Sequence, residues 1–119
     1  MTAPAQRHVV PDVRVVVDVD ADRVVAHIRG RVDYTTVGIV RERLLELAHA
    51  AQSLVVDLTG TDLADPTGPA ALLHVHDVCH ARSVAFAVDV AGGSSAELTL
   101  RGCGLLGLLQ RPSTAVVPG

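Results

Sequence analysis

The sequence contains no lysine, no asparagine and no tryptophan, and aromatic residues make up only 2% of its 119 residues. Without lysine, the chain has no side chain for Schiff-base formation or for the lysine grip of a Walker-type phosphate loop. With so few aromatic rings, base stacking on an aromatic platform and aromatic carbohydrate clamps are also disfavoured. All 10 basic side chains are arginine, which is typical of a GC-rich genome. These absences already exclude several classes of enzyme and nucleic-acid-binding protein.

Charge and hydropathy further narrow the classes of protein to which this chain can belong. The formal net charge is −3 and the isoelectric point is about 6.0, so the chain offers no basic field for direct nucleic-acid binding. No apolar run approaches the ~20 residues of a membrane span, and the N-terminal MTAPAQRH lacks the apolar core of a signal peptide. We therefore expect a cytoplasmic protein that does not insert into membranes.

Sequence signatures of catalysis are missing as well. There is no Gly-x-Ser-x-Gly nucleophile motif, and Gly92 and Gly93 lack the lysine and the spacing of a phosphate-binding loop. Cys79 and Cys103 are expected to be small, buried hydrophobic residues in a reducing cytosol. We predict that the protein is not an enzyme and needs no cofactor.

The histidines of one predicted helix have a spacing that can bind metal. His76 and His80 lie four residues apart, with Cys79 between them and His74 nearby. A zinc site needs three or four convergent ligands, and the sequence offers no distant fourth partner. A helical projection also turns Cys79 toward the core and His76 and His80 toward water. We therefore predict no metal site.

Hydrophobic periodicity divides the chain into strands and helices. The helices are recognised by apolar residues at spacings of three and four, and the strands by alternation or by short apolar runs. Predicted strands are 13–20, 24–29, 54–58, 84–88 and a last edge strand 115–117; predicted helices are 35–50, 66–82 and 95–101, with a loose helical turn at 105–109. The first two strands should form a hairpin. Thr35 or Thr36 is expected to cap the first helix, and Ser94 or Ser95 the third.

This order of elements predicts an α/β fold with a mixed sheet of four to five strands packed with three to four helices. Residues 1–10 are expected to be a flexible polar tail, and residues 11–119 a single domain. With 49% hydrophobic residues but few aromatics, the core must consist of valine, leucine and alanine.

The segment Ser53–Leu73 is the most informative part of the chain. An apolar strand runs into turn residues at 59–62 and then directly into an apolar helix. Asp65 is expected to cap that helix by accepting backbone N–H groups, and Pro66 at its first position has the φ that a helix start prefers. Such a helix start can receive a phosphate or a partner's carboxylate, although most capped helices bind nothing. From the residues alone, both readings stay open.

Three segments together resemble the STAS domain of the bacterial anti-sigma-factor antagonist family. GRVDYTT at 30–36 is similar to the family's Gly-Glu-Leu-Asp sequence before the first helix. LVVDLTGTDLAD at 54–65 resembles the strand and acidic turn ahead of the phosphorylation site. DPTGPAALL at 65–73 resembles the Asp-Ser-Ser/Thr-Gly-Leu motif that opens the second helix. The resemblance covers nearly the whole chain and implies partner switching, in which the unphosphorylated antagonist binds a kinase-type anti-sigma factor and so releases a sigma factor.

The resemblance also implies where partners bind, and it shows a departure at the phosphorylation site. The implied partner-binding residues are Asp33, Asp62, Asp65, Pro66, Thr67, Gly68 and Pro69, on a surface formed by the 59–69 loop and the second helix. Pro66 stands at the family's phosphoacceptor serine and has no hydroxyl, so Thr67 is the possible phosphoacceptor that remains in the motif. Pro69 replaces the usual leucine.

Two alternatives follow from this departure. Thr67 can be an unmodified helix-start residue, in which case the protein is a constitutive antagonist. STAS domains also serve as accessory subunits of transporters or of stress-signalling complexes, without a sigma-factor role. Arg29 and Arg31 can answer an acidic partner patch or simply solvate the rim of the site. The oligomeric state is left open.

Overall fold

The computed structural model describes residues 13–110 of the chain. The predicted tail at 1–10 and the predicted edge strand at 115–117 lie outside the described residues.

Within that range the chain forms four strands and four helices. The strands are β1 (Val13–Asp20), β2 (Arg23–Val32), β3 (Ser53–Leu63) and β4 (Ala85–Asp89); the helices are α1 (Val37–Ala50), α2 (Thr67–Ala81), α3 (Ser95–Gly102) and α4 (Leu106–Leu109). The sheet order is β1-β2-β3-β4, with β1 antiparallel to β2 and the other pairs parallel. The predicted hairpin and the predicted mixed α/β sheet are confirmed.

One core lies between the sheet and the helices. Alternate residues of β2 and β3, such as Ala26, Ile28, Leu54 and Val56, are fully buried and belong to the same cluster as the buried side chains of all four helices. Fully buried Leu44 is one of the α1 residues in that cluster. None of the helices among residues 13–110 is long and apolar enough to cross a bilayer.

Strand β3 is longer than predicted, because a bulge breaks its alternation. His27 pairs with Asp57, but Arg29 pairs with Gly60, so β3 holds one extra residue against β2 at this point. Inward-facing positions are even-numbered before the bulge, as at Leu58, and odd-numbered after it, as at Leu63. The predicted turn at 59–62 is therefore wrong: the break in alternation marks a bulge inside a continuous strand.

Side chains from both strands satisfy the backbone at the bulge. The hydroxyl of buried Thr61 donates to the carbonyl oxygen of Ile28 at 2.6 Å, and Arg29 Nη1 donates to the same oxygen at 3.2 Å. Gly60 makes room for that arginine, because a Cβ there would lie 2.8 Å from Arg29 Cδ. A larger residue at position 60 would push the Arg29 side chain off the strand.

The ends of the helices confirm one predicted cap and correct another. Ser94 caps α3: its Oγ accepts the N–H of Glu97 at 3.1 Å. Thr36 precedes α1 but makes no side-chain cap; its buried hydroxyl accepts the N–H of Asp33 and donates to the carbonyl of Arg31. The structure thus uses the Thr36 hydroxyl to close the turn before the helix.

The two cysteines differ in exposure. Cys79 is buried, and burial raises the pKa of its thiol to about 11. Cys103 follows α3 and is exposed, so the prediction that both cysteines are buried is wrong for this residue. It lies in a short turn between two helices, where the sequence has no hydrophobic periodicity to place it.

A polar row crosses three strands on the face of the sheet opposite the core. His27 Nδ1 lies 2.6 Å from Asp57 Oδ2, and His27 Nε2 lies 2.9 Å from Asp18 Oδ2. Hydrogen bonds to Asp57 and then Asp18 raise the pKa of His27. Partial burial acts to raise the pKa of Asp57, but the hydroxyl and N–H of Thr59, with His27 and Arg29, lower it well below its usual range. The row fixes the register of β1, β2 and β3 just before the bulge.

This row predicts a pH-dependent contribution to stability. Because the folded-state pKa of His27 is raised, its stabilising effect is fully present below the unfolded value of 6.5 and is lost as the pH rises through the folded value. The stability advantage of the wild-type chain over a His27→Gln variant should therefore be largest below pH 6.5 and shrink at higher pH. Urea unfolding across the pH range measures it. The control is His80→Gln, which removes a histidine whose ring stacks on His76 and lies outside the row. If the stability advantage of wild type over His27→Gln did not change with pH, the prediction would be contradicted.

Candidate functional site

Three carboxylates gather where β2 and β3 end and α1 and α2 begin. Asp33 follows β2, Asp62 is the second-last residue of strand β3, and Asp65 precedes α2. The parallel pairing of β2 with β3 brings these segments together, since Arg31 lies opposite Asp62 and Val32 opposite Leu63. We call Asp33, Asp62 and Asp65 the acidic rim.

Two members of the acidic rim use the same local pattern. Asp33 Oδ1 accepts both the N–H and the hydroxyl of Thr35, and Asp65 Oδ1 accepts both groups of Thr67. The N–H···Oδ1 distance is 2.9 Å in each case. Asp65 thus accepts the N–H of Thr67 at the start of α2, but the residue in the N-cap position is Pro66, which was predicted to be the first helical residue. Asp33 accepts in the same way in the turn before α1.

These bonds stabilise the ionised carboxylates. The hydroxyl and then the N–H of Thr35 lower the pKa of Asp33, with a smaller effect of Arg31. For Asp65, the hydroxyl of Thr67 is the main cause of a lowered pKa. Asp33 and Asp65 are therefore held in the negatively charged form at neutral pH.

A hydrogen bond from a backbone N–H to a side chain joins the segments that precede α1 and α2. The N–H of Tyr34 donates to Asp65 Oδ2 at 3.0 Å, so the carboxylate of Asp65 orders both segments. The Tyr34 side chain itself is 77% exposed, an unusual state for the one tyrosine of an aromatic-poor chain. Sequence reasoning missed Tyr34 as a site residue, although its position between two motif residues, Asp33 and Thr35, was visible.

Asp62 is held by side chains from two directions. The hydroxyl of Ser95, at the start of α3, donates to Asp62 Oδ1 at 2.9 Å, and Arg31 Nη1 lies 3.9 Å from Asp62 Oδ2. Arg31 Nε also donates to Asp33 at 3.2 Å. The positive charge of Arg31 thus offsets part of the negative charge of two rim carboxylates. Arg29 does not reach the rim and is paired with Asp57 on the open face of the sheet.

Not all predicted partner-binding residues reach the surface. Pro66 is exposed, Thr67 is half-buried, but Gly68 and Pro69 are buried. A Cβ at Gly68 would lie 2.8 Å from Leu63 Cδ2, so this glycine lets α2 pack closely on β3. Gly68 and Pro69 are buried, so the prediction that they contact a partner is corrected for these two residues. Partner binding by the half-buried acidic rim, exposed Pro66 and half-buried Thr67 stays a prediction.

Thr67 also borders a shallow groove between α1 and α2. The groove is lined by Val37, Arg41, Thr67, Ala70, Ala71 and His74. Arg41 and His74 give it basic groups on the side away from the acidic rim. Thr67 therefore borders this groove while its hydroxyl donates to Asp65 of the acidic rim.

The histidine cluster on α2 does not form a metal site in the described part of the chain. The rings of His76 and His80 stack with centroids 6.3 Å apart, and His76 packs edge-on against Phe86. His76 Nδ1 lies 3.1 Å from Asp77 Oδ1. Among residues 13–110, no group of three or more His, Cys, Asp or Glu side chains could hold a metal ion.

Comparison with known proteins identifies related chains. The model of the STAS domain family matches residues 11–114. A search of curated protein sequences found no match. Among solved structures, an anti-sigma factor antagonist from Mycobacterium paratuberculosis superposes with a TM-score of 0.73 at 18% identity, covering 91% of this chain and 94% of that one.

Two further structures are of the antagonist SpoIIAA. Its unphosphorylated form gives a TM-score of 0.66 at 12% identity, covering 87% of this chain and 93% of that chain. The phosphorylated form, described as a Bacillus cell fate determinant, gives 0.60 at 14% identity, covering 87% and 96%. At these identities the likeness shows the fold.

The geometry predicts that Asp65 matters more as a hydrogen-bond acceptor than as a charge for stability. Asp65→Ala removes the acceptor for Thr67 and Tyr34 and should lower the thermal midpoint by several degrees. Asp65→Asn keeps one oxygen that can accept from Thr67 but turns an NH2 group toward the N–H of Tyr34, so it should recover only part of the stability lost in Asp65→Ala. Thermal unfolding followed by circular dichroism compares them at neutral pH. Equal losses in both variants would show that a single oxygen accepting from Thr67 does not stabilise this segment, which would contradict the prediction.

Proposed function

The chain belongs to the STAS domain family, and on this premise we propose that it is an anti-sigma-factor antagonist. It would bind a kinase-type anti-sigma factor and so regulate sigma-dependent transcription by partner switching. The observation that supports the proposal is the acidic rim, whose residues the resemblance implies for partner binding and whose carboxylates are held by hydrogen bonds within the chain. In this role the protein acts in the cytoplasm by stoichiometric binding and not as an enzyme.

Pre-organisation of the rim favours this kind of binding. Side chains that are already ordered lose little conformational entropy when a partner docks. Exposed Tyr34 lies beside the rim and offers a large apolar contact with a polar end, which is the type of residue that often dominates protein interfaces. A partner surface with basic groups around an apolar pocket would match both features.

Thr67 provides a route for switching. Transfer of a phosphoryl group from a nucleoside triphosphate would form a bond to Thr67 Oγ1, release the nucleoside diphosphate and remove the hydroxyl proton. In the unmodified chain, that proton makes the hydrogen bond from Thr67 to Asp65 Oδ1. Phosphorylation would therefore remove this hydrogen bond and place a near-dianionic phosphate next to the carboxylate. Repulsion between the phosphate and the Asp65 carboxylate can reorganise the rim and reduce its affinity for a docked partner.

Pro66 favours a constitutive form of the same function. It is exposed at the start of α2, where the resemblance puts the phosphoacceptor serine, and it offers no hydroxyl. If the partner kinase does not act one residue further on, the chain would bind its anti-sigma factor without being inactivated by it.

Capture of partners from a lysate of the source organism tests the binding role. We expect the wild-type chain to retain an ATP-binding anti-sigma factor, identified by mass spectrometry. Tyr34→Ala should weaken binding of that purified partner about thirtyfold, because truncating a central interface aromatic commonly costs about 2 kcal/mol. The matched control is Leu108→Ala, which removes an exposed apolar side chain from α4, away from the rim.

Other retained proteins would change the assignment. A transporter subunit or a large signalling scaffold in place of an anti-sigma factor would contradict the sigma-regulatory role and leave the fold untouched. If the Tyr34→Ala variant bound the anti-sigma factor as tightly as the wild-type chain does, the interface would lie elsewhere than at the rim.

Phosphorylation of Thr67 can be tested with the captured anti-sigma factor and ATP. Intact-mass analysis should show a single phosphate on the wild-type chain and none on Thr67→Val, which keeps the shape of threonine but lacks its hydroxyl. Thr35→Val is the matched control, since Thr35 has the same bonds to Asp33 that Thr67 has to Asp65. The phosphorylated chain should bind its partner at least tenfold more weakly. An unmodified wild-type chain would instead establish the constitutive form.

A further inference from the structure

A half-buried arginine without an ion partner lies beside the start of α2. Arg41 belongs to α1 and lines the groove that Thr67 borders. Within residues 13–110, no acidic side chain pairs with it. A guanidinium that is partly removed from water is well suited to an anion whose oxygens can accept from its fork of N–H donors. Arg41 is therefore a candidate receiver for an anion in this groove.

The guanidinium of Arg41 reaches back toward the first turn of α1. A Cβ at Gly38, the second residue of α1, would lie 3.9 Å from Arg41 Nη2. The helices α1 and α2 follow the parallel strands β2 and β3, so both helices start at the same end of the sheet. Thr67, the first residue of α2, is thus at about the level of this guanidinium. His74 comes seven residues later, about 10 Å further along α2, so Arg41 is the basic group closer to Thr67.

The groove has the size and the polarity to hold a phosphoryl group. Its volume is about 420 Å³, and its other walls are the apolar side chains of Val37, Ala70 and Ala71. None of the lining residues in the described part of the chain is acidic. An anion in the groove would therefore meet the positive charge of Arg41 without a competing carboxylate.

We propose that Arg41 receives the phosphoryl group when Thr67 is phosphorylated, which rests on the proposed switching at that residue. In the unmodified chain, the Thr67 hydroxyl donates to Asp65. A phosphorylated Thr67 has no hydroxyl proton to donate and is repelled by the carboxylate. Because threonine has two favourable rotamers in a helix, rotation about its Cα–Cβ bond can turn the phosphoryl group from Asp65 toward the groove. There the guanidinium can bind two phosphate oxygens through parallel N–H donors.

This pairing would make the phosphorylated site differ from the unmodified one by more than an added charge. Asp65 would keep the N–H groups of Thr67 and Tyr34 but lose one donor. The phosphoryl group would at the same time join α2 to α1 across the groove. A partner that docks on the unmodified rim would meet both changes.

A phosphothreonine installed at position 67 during synthesis of the full chain tests the proposal without a kinase. Phosphorus NMR follows the second ionisation of the phosphate, which occurs at about pH 6. Because a nearby cation favours the dianion, the acid dissociation constant should be about threefold larger in the wild-type background than in Arg41→Gln. Ala70→Glu places a carboxylate in the groove from an exposed position and should lower this constant as well.

The matched control is Arg43→Gln, which removes the same charge from α1 at a position where the arginine pairs with Glu46. This variant should titrate like the wild-type background. If Arg41→Gln also titrated like the wild-type background, the proposal would be overturned, whatever the result for Ala70→Glu. Because the phosphate is installed by synthesis, a partner that does not phosphorylate Thr67 would contradict the proposed switching without changing this titration.

Discussion

One hydrogen-bonding arrangement orders the candidate site and the strand that leads to it: an aspartate carboxylate that accepts the N–H and the hydroxyl of the threonine two residues further on. It occurs at Asp33, at Asp57 and at Asp65. The first and last of these close the turns into α1 and α2, and the middle one holds the bulge in β3. Without these acceptors, the backbone N–H groups at two turns and one bulge would lose their side-chain partners.

The arrangement also makes the acidic rim rigid. Each rim carboxylate is bonded to at least one donor of its own chain, and Arg31 lies between two of them. Since the donors lower the pKa values of Asp33 and Asp65, the charge persists well below neutral pH. A partner that bound at the rim would meet a surface of fixed shape and charge, with exposed Tyr34 as its apolar element. Specificity would come from matching that pattern, because little of it can adjust.

Sequence reasoning reached most of the fold because local signals agreed with the tertiary structure. The apolar run before Asp65, the proline at the helix start and the serine before α3 each predict their elements by a mechanism that the structure retains. It failed where the decisive contact is non-local. Nothing around position 60 reveals that Arg29 crosses from β2 and that Thr61 bonds to Ile28, so a bulge looked like a turn. Burial of Gly68 and Pro69 likewise depends on how α2 packs on β3.

The bulge restricts which changes of chain length this protein can tolerate. Before it, β3 points even-numbered residues into the core; after it, odd-numbered ones. Deleting or inserting one residue between Asp57 and Thr61 would therefore turn Leu63 outward and the carboxylate of Asp62 inward, away from Ser95. The open glycines at 92 and 93, where an added Cβ meets nothing, face no such limit. Among descendants of this sequence, length variation should accumulate in that loop while the eight-residue interval from Asp57 to Asp65 stays constant.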